Sequence, residues 1–251
     1  MKSKFAKNVA VLMTGTAVAQ ALTIIVAPIL SRLYDPSAFG IFALYSSMIS
    51  VIATIASLRY ELAIVLPKKD DEATNLLAIS FFITFGLSAL TTVFIFFAGD
   101  RISTLLGTPE LEPWLWWVPV GVFATGLFNA LNYWSTRRKS FKRLSISQIL
   151  RSVGVTGTQI TGGLLTSGAT GLIGGQVAGQ SIASFTLGWQ VWRDDKNIIK
   201  RGIKLPELKR LVKEHYKFPV YSAPQTLLNS VSQNVPPFLL AFYFGSYVVG
   251  L

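Results

Sequence analysis

The sequence predicts an all-α integral membrane protein, a polytopic bundle of about seven transmembrane helices. Three observations carry that expectation. Apolar residues lie in long blocks instead of alternating with polar ones, charge is confined to the gaps between blocks, and the overall balance is apolar. Hydrophobic residues fill 51% of the chain and charged ones 14%, well below the roughly 25% charged of a soluble domain. The mean hydropathy is +0.49.

Scanning for apolar runs long enough to cross about 30 Å of hydrocarbon gives seven candidates, at 8–33, 37–58, 73–98, 114–134, 145–166, 169–192 and 218–244. Packing that many apolar runs as soluble core would leave too little polar sequence to cover them. Lys2, Lys4 and Lys7 before the first run resemble the start of a signal peptide. The run continues past any cleavage site to Leu33, however, which argues for a retained helix. Pro28 is expected to kink it.

Counting Lys and Arg by side sets the expected orientation. One side gathers the N-terminal lysines, Lys68 and Lys69, the group from Arg137 to Arg143, and the basic stretch from Arg193 to Lys217; the other shows only Arg32 and Arg101. The N-terminus is therefore expected in the cytoplasm. Trp114, Trp116 and Trp117 mark the outer interface, and Trp134, Trp189 and Trp192 the inner one. In 205–217, Leu205, Leu208, Leu211, Val212 and Tyr216 recur at helical spacing opposite Lys209, Arg210, Lys213 and Lys217. That pattern predicts an amphipathic helix on the cytoplasmic surface. The organisation expected is a first six-helix bundle at 1–192, a linker at 193–217, and the start of a second bundle at 218–251. The chain stops soon after an apolar run and reads as a fragment.

The net charge of +11 raises nucleic-acid binding for a soluble protein. Here the basic residues flank apolar blocks, where anionic headgroups attract them, so lipid bilayer is the expected partner and nucleic acid is not. There is no cysteine, which excludes disulfides, thiolate catalysis and Cys-based metal sites. No carboxylate pair, metal-ligand cluster or Walker-type loop appears, and the only histidine, His215, falls in the surface helix. Neither an enzyme, a metal nor an organic cofactor is expected.

Two groups of residues inside the spans stand out. Gly171, Gly175 and Gly179 recur every four positions, the spacing that lets another helix approach closely; Gln176 and Gln180 lie on a neighbouring face. The second group is ionisable. Arg32 closes the first span, Arg59 and Glu61 the second, and Arg151 lies roughly 9 Å inside the fifth at 1.5 Å per residue. Snorkelling to the headgroups accounts for arginines near helix ends, and a neighbouring Lys for Glu61. No Asp or Glu lies near the middle of a span, so an anionic cargo fits better than a cationic one.

The wording of the chain then matters beyond its physics. KNVAVLMTGTAVAQ, APILSRLYDPSAFGIFALYSSM, SLRYELAIVLPKKDDEATNLL, YWSTRRKSFKRLSISQILRS and GLIGGQVAGQ resemble, in this order, the N-terminal half of bacterial Wzx-type O-antigen flippases of the multidrug/oligosaccharidyl-lipid/polysaccharide exporter superfamily. The resemblance implies two six-helix bundles around a cavity that opens alternately to each side. It further implies an undecaprenyl-pyrophosphate-linked oligosaccharide as cargo, moved to the outer leaflet of the inner membrane for surface polysaccharide or lipopolysaccharide synthesis. Polysaccharide polymerase and assembly proteins are the further partners, and an ion gradient the energy source. In that frame Arg59 and Arg151 would hold the diphosphate, with Arg32 and Glu61 nearby, while Asn129, Asn132, Gln225 and Asn229 would line the sugar path. Two other readings stay open: a related exporter of drugs or of another lipid-linked glycan, and a non-transporting scaffold of a polysaccharide-assembly complex.

Overall fold

The computed structural model describes residues 2–165 and 168–251, with side chains from Ala10 onward. Among the described residues 88% are helical and none forms a strand. The long helices are α1 (Lys2–Leu33), α2 (Pro36–Ala53) and α3 (Asp70–Leu105), then, after the short α4 (Glu112–Leu115), α5 (Val118–Arg137), α6 (Phe141–Leu165) and α7 (Thr170–Gly202). A shorter α8 (Leu205–Glu214), α9 (Ala223–Phe244) and α10 (Ser246–Val249) follow. Local chemistry explains several ends. Pro36 opens α2 at a position where its missing N–H costs nothing. Asp70, Asp71 and Glu72 fill the first turn of α3 and Lys200 and Arg201 the last turn of α7, each sign matching the helix dipole.

A helix occupies each of the seven expected spans, although Thr166 lies outside the described residues. Three of these helices, α1 from Ala10, α2 and α3, are long and apolar enough to cross a membrane, and α4 with α5 makes a fourth as a pair bent by 49°. Helices α6, α7 and α9 fall short because polar residues punctuate them: Gln148, Arg151 and Gln159 in α6, Gln176 and Gln180 in α7, Asn229 and Gln233 in α9. The first helix runs unbroken through Pro28. The second ends at Ala53, five residues before the expected border at Leu58, and unwinds through turns into a 3-10 segment, Tyr60–Val65.

The helices form a row, α1 on α6, α6 on α7, α7 on α5, α5 on α3, with α2 lying across α5 and α7 and carrying α9 and α10 on its other flank. One apolar cluster centres on Leu44, Tyr45, Leu115 and Leu172. A second centres on Trp134, Leu76, Leu144 and Leu187.

The tightest seam joins α6 and α7. A Cβ on Gly175 would sit 2.5 Å from the Gln159 side chain, and one on Gly179 only 2.3 Å from that of Val155. At Gly171 the obstacle comes from elsewhere: the Tyr34 hydroxyl, 1.9 Å from such a Cβ. Tyr34 leaves the α1–α2 turn, enters the glycine-lined notch and donates to the Gln159 carbonyl at 2.6 Å. Gly179→Leu is therefore expected to force the helices apart at a cost of about 1–3 kcal/mol. Membrane-fraction protein should fall with it, and an unchanged level would contradict this packing.

At one end of the bundle, charges tie the helices together. Asp195 of α7, 3% exposed, accepts from Trp134 Nε1 at 3.1 Å and Arg143 Nη1 at 2.7 Å, and faces Arg138 Nε at 3.5 Å. Arg138 also reaches Asp70 at 3.1 Å, which Arg137 meets at 2.9 Å. One connected group thus joins α3, α5, α6 and α7. Next to it, the hydrogen bond from Arg193 holds the Asp194 carboxyl below its usual range. Trp134, expected at a lipid interface, is instead fully buried, because its indole N–H is committed to Asp195.

The helix α8 rests part of its apolar face on the bundle: Leu211 is 1% exposed, Leu208 packs beside it, and Tyr60 donates to the Val212 carbonyl at 3.1 Å, while Leu205 and Val212 stay exposed. The corner before it is pinned by Asn75, which donates to the Gly202 carbonyl at 2.7 Å and accepts from the Lys204 N–H at 3.0 Å.

Candidate functional site

A polar cleft of about 550 Å³ opens between α1, α5, α6 and α7. The first helix supplies Thr16, Gln20 and Thr23, the sixth Gln148, Arg151 and Ser152, the seventh Gln176, and Phe128 of α5 closes the back. Helical spacing assembles it. On α1 the polar positions fall at i, i+4 and i+7, and on α6 at i, i+3 and i+4, so each set shares one face.

Part of this polarity is spent on joining the two helices. Thr16 donates to Gln148 Oε1 at 2.6 Å, and Ser152 donates to the Ala19 carbonyl at 2.8 Å. Other groups are left over. Among the described residues, Gln20, Gln176 and Arg151 have no side-chain hydrogen-bond partner and no carboxylate pairs with Arg151. A half-buried guanidinium with five N–H donors and no partner is ready to accept an anion in bidentate fashion.

The other arginine expected to act with it sits elsewhere. Arg59 follows Leu58 in the turn after α2, and both adopt the left-handed region, at φ 66° and 49°. Two successive non-glycine residues there are strained, a cost tolerated when surrounding contacts impose it. The imposing contact is Glu61, buried at 3% exposure: it accepts from the Ser57 hydroxyl and pairs with Arg59 Nη1 at 3.4 Å. Arg59 is thus locally neutralised, though its Nε is buried without a hydrogen-bond partner. Neither Arg59 nor Glu61 lines the cleft.

Nor do the remaining expected residues. Arg32 is exposed at the end of α1. Asn129 and Asn132 are half-buried on α5, where Asn132 accepts from Thr136 at 3.4 Å. Gln225 and Asn229 are exposed on α9, where Gln233 continues the same row and donates to Asn229 at 3.3 Å. Of the eight residues singled out, the structure places Arg151 alone in the cleft.

A family of polysaccharide biosynthesis proteins matches residues 29–251, nearly the whole chain. The chain belongs to this family. No curated protein and no solved structure matches it. Membership of this family is consistent with a role in polysaccharide biosynthesis. Among the described residues no cluster of His, Asp or Glu is arranged to hold a metal ion.

The side chains around Arg151 that sequence reasoning passed over, Thr16, Gln20, Thr23 and Gln148, carried a signal. Each is polar and lies inside an apolar span; Thr16, Gln20 and Thr23 recur at helical spacing on α1, and Gln148 lies three residues before Arg151 on α6. What the sequence did not contain was the pairing of α1 with α6.

Proposed function

We propose that this chain takes part in moving an undecaprenyl-pyrophosphate-linked oligosaccharide across the bacterial inner membrane, as a transporter and not as an enzyme. The observation that carries the reading is the unpaired Arg151 inside a polar cleft of a bundle in which α1, α2, α3 and the bent α4–α5 pair are long and apolar enough to span a bilayer. A charge at mid-membrane is costly, and such residues face cavities or partners that repay the cost. A diphosphate is the partner that fits: it neutralises the guanidinium and engages its fork, while Gln20 and Gln176 offer amides to sugar hydroxyls. The isoprenoid would stay in the hydrocarbon beside the bundle.

The charged end of the bundle, with Asp70, Asp195 and the basic face of α8, then lies in the cytoplasm, an orientation that the excess of Lys and Arg at that end supports. An ion gradient supplies the work, and polymerase and assembly proteins receive the product. The test is to delete the gene in a strain without a redundant flippase and measure the lipid-linked oligosaccharide in each leaflet. Accumulation on the cytoplasmic side, reversed by complementation, is expected. Normal delivery to the outer leaflet would overturn the reading.

A further inference from the structure

We propose that the bundle holds one acyl chain of a bilayer phospholipid in an apolar cavity bounded by α2, α3, α9 and the bend between α4 and α5. This inference rests on the membrane reading above and not on the identity of the cargo. The cavity measures about 420 Å³. Its floor is Ile95, Leu115 and Val118, each 5% exposed or less, and its rim is Phe94, Leu105 and Val231, each more than a third exposed. It is therefore a hollow open on one side, with a floor continuous with the apolar core.

Its chemistry narrows the occupant. The one polar side chain in the lining is Thr91, and its hydroxyl is already committed to the Leu87 carbonyl at 2.8 Å. A water needs two to four polar partners, so water has nothing to hold it there. An empty hollow forfeits dispersion contacts along all its walls.

Its shape and setting narrow it further. Along α3 the lining runs from Thr91 to Leu105, about 20 Å of helix at 1.5 Å per residue, which suits a long, thin ligand. Three of its four walls come from α2, α3 and the α4–α5 pair, the segments apolar enough to span a membrane. In that setting the abundant long apolar ligand is a phospholipid tail. The carried isoprenoid is the less suitable occupant, because the cavity and the Arg151 cleft share no lining residue. A tail seated here packs α9 against α2 and α3, filling space that protein side chains leave open.

The test is photolabelling of the whole protein in nanodiscs containing phosphatidylethanolamine with a diazirine on its acyl chain, with adducts mapped by mass spectrometry. Adducts are expected on the floor residues Ile95, Leu115 and Val118 at yields comparable to outward-facing Phe96 and Phe97. Ile95→Trp, which fills the hollow, should cut floor adducts at least fivefold and leave Phe97 unchanged. Met48→Phe serves the same purpose if Ile95→Trp does not accumulate. Label on Phe96 and Phe97 with none on the floor of the wild-type protein would show the hollow covered by protein and overturn the inference. No label on either would overturn the membrane reading itself. Displacement of floor adducts by equimolar polyprenyl phosphate would assign the cavity to an isoprenoid and overturn the choice of phospholipid.

Discussion

Arg151→Ala is expected to lower translocation of the lipid-linked oligosaccharide about ten- to a hundredfold, measured as outer-leaflet product in cells complemented with the variant. That loss corresponds to one charge-assisted interaction with a diphosphate, about 1.5–3 kcal/mol, at 1.4 kcal/mol per factor of ten. Protein level should not change, because Arg151 has no internal partner to orphan. Arg151→Lys should fall between: it keeps the charge and loses the planar fork. Undiminished transport by Arg151→Ala would remove the observation on which the proposed function stands. The contrast with Arg59 sharpens the test. Removing Arg59 leaves Glu61 buried without its cationic partner, so that variant should lose protein as well as activity.

The second large effect falls on stability. Asp195→Ala should destabilise the protein by about 3 kcal/mol, because it strips Arg138, Arg143 and the Trp134 indole of a shared buried acceptor. At about 2–4 °C per kcal/mol for a chain of this size, the melting temperature of the detergent-solubilised protein should fall by roughly 6–12 °C. Asp195→Asn retains an acceptor for Trp134 and should fall by less. A melting temperature unchanged within one degree would show that the group is held by the helices and does not help hold them. Asp70, 42% exposed in its side chain, is solvent-screened, and Asp70→Ala should cost far less.

Helices were the legible part of this sequence. Long apolar blocks name themselves, and the four-residue glycine spacing on α7 marked a close-approach face before any partner was known. Three things were not legible, each because it depends on a contact across many residues. The end of α2 at Ala53 is set by the buried Glu61 and its Arg59 and Ser57 partners, while hydropathy continues smoothly past it. Trp134 reads as an interfacial anchor until Asp195, 61 residues away, claims its N–H. The cleft required knowing that α1 lies on α6; without that pairing, Thr16 and Gln20 look like dilution of an apolar helix. Arg151 was visible because charge within an apolar run is conspicuous anywhere. Asn129, Asn132, Gln225 and Asn229 were chosen for polarity alone, and polarity does not say which way a helix face points.

The lodging of Tyr34 in the glycine notch has a consequence for biogenesis. Its acceptor, the Gln159 carbonyl, is made 125 residues later, and α1 finds its main neighbour, α6, only then. At roughly 5–20 residues per second, α1 waits about 6–25 seconds in the membrane with Thr16, Gln20 and Thr23 unshielded. For that interval it must persist as an isolated apolar helix, which its length and apolar character permit. The helices least able to stand alone, α6 and α7, are made last of the six and arrive beside neighbours already in place. The helices apolar enough to span alone, α1, α2 and α3, are all made before α6 and α7, so the two weaker helices are received by stronger ones.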